Sequence, residues 1–384
     1  MSKKVLLAAT APKDMTPRLL RFAGALGESG YTVYTATYSP SDKYNISILP
    51  RNISNRPLRR QLERYSYFSS YLPDIGSFRD KLSEWRHGLD LFEAALEKSE
   101  FDAIIVHDYE LLPVAVKKSG AAKVILDARE YYPAQVEDSY YFRRYESPER
   151  IRLLSRWLPQ ADGLIATSNG HADEYSRVFG VNFKVIQSAS SYREIPIREK
   201  NDQTIRLVHH GVSSKNRKLE KLVRLIDLLP QNFTLDLYLV FSNEQRRTYF
   251  AELCDGNPRV TLHNPIPFQE IVPTMSQYDI GLCYFEPTTF NLMTTMPNKF
   301  FEYIQARLPV AIGPSTSMKE VVDEYGCGVV SPEFSIESLA STLSQIGIEE
   351  LQELKAKSDA VARVLNAENE ANKLIDLIDD LLAT

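Results

Sequence analysis

The chain alternates between short apolar runs and longer stretches whose apolar residues recur every three or four positions. "KVLLAAT" (Lys4–Thr10) is a continuous apolar run that ends in a polar loop, and it reads as a buried strand. "MTPRLLRFAGALGESG" follows. There Thr16 suits an N-cap, Pro17 suits the first helical position, and Gly27 or Gly30 closes the helix. "YTVYTATY" (Tyr31–Tyr38) is β-branched and aromatic, which predicts a strand. "FDAIIVHD" (Phe101–Asp108), "KVILDARE" (Lys123–Glu130), "GLIATS" (Gly163–Ser168) and "FKVIQS" (Phe183–Ser188) continue the series, with helical stretches between them. Strand, helix and strand joined by short links make the unit of a parallel sheet.

At Ser188–Gln203 the pattern stops. "SASSYREIPIREKNDQ" is polar, contains a proline and has no period, so it reads as an interdomain linker. The pattern then restarts. "IRLVHHG" (Ile205–Gly211) is a strand ending in glycine. "RKLEKLVRLIDLLP" (Arg217–Pro230) predicts an amphipathic helix with Leu219, Leu222, Val223, Ile226 and Leu229 on one face. "FTLDLYLV" (Phe233–Val240), "RVTLH", "DIGLCYF", "PVAIG" and "GCGVV" give further strands, and Glu349–Leu382 is leucine-rich and helical. The expected architecture is α/β, with two doubly wound Rossmann-like domains. The expected boundaries are 1–190, 204–365 and a terminal helix over 366–384 that packs back on the N-terminal domain. Ligands of such sheets bind beyond the carboxyl ends of the strands, which here points to the cleft between two facing halves.

Composition changes this picture little. The 384 residues suit two cores better than one. The net charge of −5 gives no general basic field for nucleic acid. The three cysteines, Cys254, Cys283 and Cys327, lack ligand spacing and fit a reducing cytoplasm. No signal peptide is read at the N-terminus, and no window of eighteen apolar residues predicts a spanning helix.

Neither half carries GxGxxG or a Walker A loop, and no metal-binding motif stands out. The Asp379–Asp380 pair lies on the terminal helix and reads as a solvated face. Two stretches carry candidate chemistry. In "TTMPNKFFEYIQARLPVAIG" (Thr294–Gly313), Pro297 starts a helix whose first free N–H groups suit a phosphate. Glu302, one turn further in, can accept two hydrogen bonds from the vicinal hydroxyls of a ribose. Asn298 lies on the same face. The competing reading is a surface network of Lys299, Glu302 and Tyr303. In "HHGVSSKNRKLE" (His209–Glu220), a glycine permits close approach of a ligand to the backbone, and Arg217 and Lys218 open a helix against its dipole. That local conflict fits an anionic ligand, whereas a pair of exposed basic residues is the plain alternative.

"MPNKFFEYIQARLPVAIG" resembles the donor-site signature of retaining GT-B glycosyltransferases, in particular glycosyltransferase family four, the glycosyl transferases group 1. "LVHHGVSSKNRKLEKLVRLIDLL" is similar to the start of that family's C-terminal domain. "ILDAREYYP" (Ile125–Pro133) and "LPQADGLIATSNGHADEYSRVFG" (Leu158–Gly180) resemble its N-terminal elements more weakly. The resemblance implies that Glu302 holds the nucleotide ribose and that Arg217 or Lys218 neutralises the diphosphate. Gly211 and Ser213 would line the phosphate and sugar loop. The backbone around Thr295–Asn298, with Thr295, Met296 and Asn298, would cap the phosphates, Lys299 would be a further donor-binding residue, and Ile266 would end the stretch from His263 where the base rests.

Two positions depart from the family. Thr294 replaces a glutamate that grips the donor sugar, with Asn291 as the substitute, and Arg129 replaces an active-site histidine. Arginine cannot act as a base near neutral pH, so Glu130 and Asp108 become the candidates for handling a proton, with Arg129 orienting the acceptor. A buried ion pair among Asp127, Arg129 and Glu130 is the bland alternative.

The implied activity is a hexosyl transfer, with retention, from a nucleotide-diphosphate sugar to a hydroxyl acceptor in bacterial polysaccharide or surface-glycan biosynthesis. The donor is a substrate, and neither cofactor nor metal is called for. The acceptor would be a glycan or a lipid-linked glycan. The arginine- and aromatic-rich stretches 51–88 and 140–159 suit peripheral contact with a membrane, at the inner face of a cytoplasmic one, unless they are helices with snorkelling arginines. A sugar-nucleotide epimerase and a non-catalytic module that binds nucleotide sugar or a partner are the alternatives.

Overall fold

The structure, a computed structural model, describes residues 2–13, 16–48, 84, 89–213 and 217–384. The stretch expected at 51–88 lies outside the described residues except for Glu84. The chain divides into two compact units. One comprises Met1–Gln187, Thr289–Asn291 and Glu370–Thr384, and the other comprises Ser188–Thr288 and Leu292–Asn369.

The first unit is built on β1 (Lys4–Ala8), β2 (Thr32–Thr37), β3 (Asn45–Ser47), β4 (Ala103–Val106), β5 (Lys123–Ala128), β6 (Gly163–Ala166) and β7 (Lys184–Val185). They form one parallel sheet in the order β3-β2-β1-β4-β5-β6-β7. Alternation along each strand splits its apolar residues between two faces. Leu6, Ile104 and Leu126 pack on one side with Leu153, Trp157 and Tyr175. Val5, Leu7, Ile105 and Ile125 pack on the other with Leu19, Phe22 and Leu26. Leu374 and Ile378 of the terminal Ala367–Ala383 helix join this second face.

The second unit holds β8 (Ile205–Val212), β9 (Phe233–Val240), β10 (Val260–His263), β11 (Ile280–Leu282), β12 (Val310–Ile312) and β13 (Gly328–Val330). They too are parallel, in the order β10-β9-β8-β11-β12-β13. In each sheet the strand order reverses beside the first strand, between β1 and β4 and between β8 and β11. Such a reversal opens a crevice at the carboxyl ends of the two strands.

Several element boundaries differ from expectation. Thr16 does not cap the Pro17–Glu28 helix, because its hydroxyl donates to Lys13 O (2.8 Å) instead of accepting from the helix. The stretch 183–188 contributes only a two-residue strand. The predicted Arg217–Pro230 helix spans Glu220–Leu228. β3 carries too short an apolar pattern to be read in advance. The C-terminal stretch is two helices, Ile348–Ala362 and Ala367–Ala383. Asn366 makes the break: its amide donates to Arg363 O (2.9 Å), and its carbonyl accepts from Asn369 N (2.9 Å).

Candidate functional site

In the second unit the β8–β11 crevice gathers most of the predicted donor residues. The Asn298–Gln305 helix starts directly after Pro297, which has no side-chain capping bond. Phe300 N–H already bonds Pro297 O (2.9 Å), so the Asn298 and Lys299 N–H groups precede the first intrahelical bond. Lys299 through Gln305 are all buried, including Lys299 (5% exposed) and Glu302 (4%). The surface-network reading of Lys299, Glu302 and Tyr303 is therefore wrong. Tyr303 is held in place because Gly281 of β11 has no side chain: a Cβ there would sit 2.3 Å from the Tyr303 ring. The Tyr303 hydroxyl accepts from His210 N (3.2 Å), tying the helix to the end of β8.

Lys299 projects over the end of β8. Its Nζ lies 3.1 Å from the position a Cβ would take on Gly211, whose φ of +126° suits glycine. It also lies 3.1 Å from His209 Nε2. His209 Nδ1 lies 2.8 Å from Leu282 O, an oxygen that can only accept. The proton therefore sits on Nδ1, and Nε2 accepts from the Lys299 ammonium. Burial, then the Lys299 charge, hold His209 well below its usual pKa. Burial, then the Arg217 charge, push Lys299 down to about 8.

Glu302 Oε2 lies 3.2 Å from His210 Nε2, an ionic distance off the line of a hydrogen bond. Among the described residues none donates a well-formed hydrogen bond to this carboxylate, and the His210 Nε2 that faces it has no hydrogen-bond partner. Arg217 stands with its guanidinium 5.8 Å from the Phe285 ring. The Ser213 hydroxyl accepts from Arg246 Nε (3.2 Å). Thr295 is half-buried, Met296 is buried and Asn298 is exposed.

Three of the expected residues have partners within the chain. Lys218 pairs with Glu286 (3.5 Å), which also holds Lys221, so its charge is shared with a carboxylate. Asn291 belongs to the first unit, where its carboxamide accepts from Tyr131 N (2.8 Å) and donates to Tyr131 O (3.0 Å). That two-pronged bond commits it to the backbone rather than to a sugar. Ile266 packs against the apolar cluster of Val208, Phe300 and Ile304. A hollow of about 690 Å³ is lined by His263, Asn264 and Pro265 together with Asn243, Arg247 and Cys254, and Ile266 does not line it.

In the first unit Asp108 and Arg129 lie together at the end of β4. Arg129 Nη2 pairs with Asp108 Oδ1, its Nε donates to His107 O (3.2 Å), and Asp108 Oδ2 accepts from Thr10 N (2.7 Å). Both Asp108 oxygens are engaged, which makes it an anchor for Arg129. The bland alternative, a buried ion pair among Asp127, Arg129 and Glu130, does not form: half-buried Arg129 pairs outside that set, with Asp108. Asp127 pairs instead with Arg18 (2.7 and 2.8 Å) and His107 (2.7 Å). Glu130 is half-buried, and its carbonyl accepts from Tyr175 OH (2.9 Å).

Sequence reasoning missed His209, His210, Arg246 and Glu110. The adjacent histidines at the end of β8 were visible as a pair, but nothing in the spacing linked them to residues ninety positions on. Half-buried Glu110 follows β4, and burial together with the Asp108 carboxylate pushes its carboxyl up to about 7. Among the described residues no three His, Cys, Asp or Glu side chains are grouped as a metal site, and no helix is long and apolar enough to cross a membrane.

No family model matches the chain, and no curated protein matches its sequence. Solved structures do match it over nearly its whole length. Sucrose-phosphate synthase from Thermosynechococcus elongatus is 16% identical, with a TM-score of 0.71 and 99% of each chain covered. HepE from Anabaena, solved in complex with UDP, is 12% identical, with a TM-score of 0.67 over 98% of this chain and 100% of that one. WaaG, a glycosyltransferase involved in lipopolysaccharide biosynthesis, is 13% identical, with a TM-score of 0.64 over 97% and 99%. These neighbours are GT-B glycosyltransferases, and the likeness shows that the chain has the GT-B fold.

Proposed function

We propose that this chain is a glycosyltransferase that moves a hexosyl group from a nucleotide-diphosphate sugar to a hydroxyl acceptor with retention. The observation that carries the reading is the Glu302 carboxylate, 4% exposed and without a hydrogen-bond donor among the described residues, one turn inside an uncapped helix start that faces Gly211. A ribose diol supplies the two missing donors, and a diphosphate meets the free N–H groups and Arg217. In the transfer, the bond from the anomeric carbon to the diphosphate oxygen breaks and a bond to the acceptor oxygen forms. The acceptor proton passes to Glu130 or to the departing diphosphate. Positive charge and helix N–H groups stabilise that leaving group without need of a metal ion. Arg129, held by Asp108, orients the acceptor.

The acceptor class that fits is a glycan, free or lipid-linked, in polysaccharide or surface-glycan assembly. Tyr140 (69% exposed), Tyr141 and Ile151 with Arg143 and Arg144 suit contact with an anionic membrane surface. The engaged Asp108 favours one rival, a module that binds nucleotide sugar without turning it over.

Incubation with UDP-, GDP-, ADP-, dTDP- and CMP-sugars, read by chromatography of the released nucleotide, tests the proposal. Slow release from one donor, abolished by Arg217→Ala, is expected. Binding without release from any donor supports the non-catalytic module instead.

A further inference from the structure

The Asn298–Gln305 helix stops on a residue in an unfavourable conformation. Arg307 has a φ of +63°, in the left-handed region that the position after a helix usually gives to glycine. It is also buried, at 1% exposed. The turn itself is an ordinary helix stop, with Leu308 N bonded to Tyr303 O (2.9 Å) and Arg307 N to Ile304 O (2.9 Å). Glycine would make that turn without strain, so the reason for an arginine lies in its side chain. Each nitrogen of the guanidinium has a partner. Nη1 donates to Gln305 O (2.6 Å), Nη2 to Arg193 O (2.7 Å) and Nε to Asp359 Oδ1 (2.5 Å). Gln305, wholly buried on the last turn, grips the same neighbours. Its Nε2 donates to Ala362 O (2.9 Å) and Leu365 O (3.1 Å), and its Oε1 accepts from Arg193 N (3.3 Å). One side chain thus holds the Arg193 N–H and the other its C=O. The segments gripped are the two ends of the second unit, and they run side by side: Ala367 N donates to Ser190 O (3.0 Å) and Tyr192 N to Glu368 Oε2 (2.9 Å).

On the nucleotide-sugar reading above, we propose that Arg307 and Gln305 are positioning residues for the donor site: through them the unit's two chain ends set the place of Glu302 at the end of β8. Glu302 comes three residues before Gln305, on the neighbouring turn of the same side of the helix. Pinning Gln305 and Arg307 therefore fixes the rotation of the helix about its axis, and with it the direction of the Glu302 carboxylate. The start of the helix has a weaker hold. It has no side-chain cap, and its tie to β8 is the Tyr303 hydroxyl on His210 N (3.2 Å). A carboxylate that must accept from two vicinal hydroxyls at once tolerates little rotation, because hydrogen bonds weaken steeply off their preferred angle.

Calorimetric titration of the full chain with UDP, GDP, ADP, CDP and dTDP identifies the diphosphate that binds. The Kd is then measured for Arg307→Gly, Glu302→Gln and the double variant. Glycine suits the backbone at this position, so Arg307→Gly removes the grip and keeps the turn. It should weaken binding about tenfold, and the double variant should bind no more than about threefold more weakly than Glu302→Gln, because both changes act through one carboxylate. Arg307→Lys keeps the charge without the forked geometry and should fall between the wild type and Arg307→Gly. Should Arg307→Gly fail to fold by circular dichroism, Arg307→Lys takes its place in the cycle. Losses that simply add would show a general loosening of the unit and overturn the proposal. If Glu302→Gln weakens binding and the Arg307 variants bind like the wild type, only this proposal falls. If none of the five diphosphates binds, or Glu302→Gln binds as tightly as the wild type, the nucleotide reading falls with it.

Discussion

Glu302 Oε2 and His210 Nε2 lie 3.2 Å apart at the end of β8, both buried and neither closing a hydrogen bond on the other. A carboxylate kept this way is positioned for an external donor. Glu302→Gln preserves the shape but halves the accepting capacity. It should weaken nucleotide binding about ten- to a hundredfold, on the order of 1.5–3 kcal/mol for hydrogen bonds to a charged group, and leave the thermal midpoint nearly unchanged. Equal affinity in calorimetry would remove the carboxylate from the site.

Gly211 has a backbone conformation that side chains resist, with the Lys299 ammonium directly above it. Gly211→Ala adds strain of about 1–3 kcal/mol and pushes on Nζ. Both stability and nucleotide affinity should fall together. A variant that melts like the wild type and binds as tightly would show that the close approach has no role.

Asp127 is wholly buried between Arg18 and His107. Burial alone would raise its pKa, but the Arg18 and His107 interactions outweigh this and hold the carboxyl below the usual range. A depressed folded pKa contributes stability above the unfolded value, about 3.9, and that contribution is lost as pH falls below it. Asp127→Asn removes the carboxylate charge from the buried Arg18–Asp127–His107 group, which should cost about 3–5 kcal/mol at neutral pH. Urea melts of both proteins between pH 5 and 3 should show the wild type losing the more stability. Parallel losses would contradict the pairing.

Arg129 is anchored by Asp108 and His107 O, in a different unit from the donor residues. Arg129→Ala should therefore leave nucleotide affinity within about twofold and reduce transfer to acceptor by at least tenfold, a split that only an acceptor-side role gives. Matched losses in both would assign Arg129 to general stability.

Much of the fold was legible because parallel strands buried on both faces are apolar along their length. β1, β4 and β5 show this, and the polar break after Gln187 marked the second unit. β3 and β7 were hard to read because they have three and two residues and no periodic signal. The candidate donor helix was legible from Pro297, Lys299 and Glu302 together. What could not be read was which charges would find partners within the chain. Lys218 and Lys299 look alike as letters, yet among the described residues one meets Glu286 and the other His209. Asn291 likewise offers a free carboxamide in the sequence and spends it on the Tyr131 backbone in the fold.

The central claim is that the β8–β11 crevice takes a nucleotide-diphosphate sugar. A thermal-shift screen of the purified chain against UDP-, GDP-, ADP-, dTDP- and CMP-sugars, run alongside Glu302→Ala, tests it most directly. One nucleotide class at about a hundred times its Kd should stabilise the wild type by roughly 2.7 kcal/mol, and the variant should show little or no shift. No shift with any of them, or an equal shift in the variant, would contradict the account.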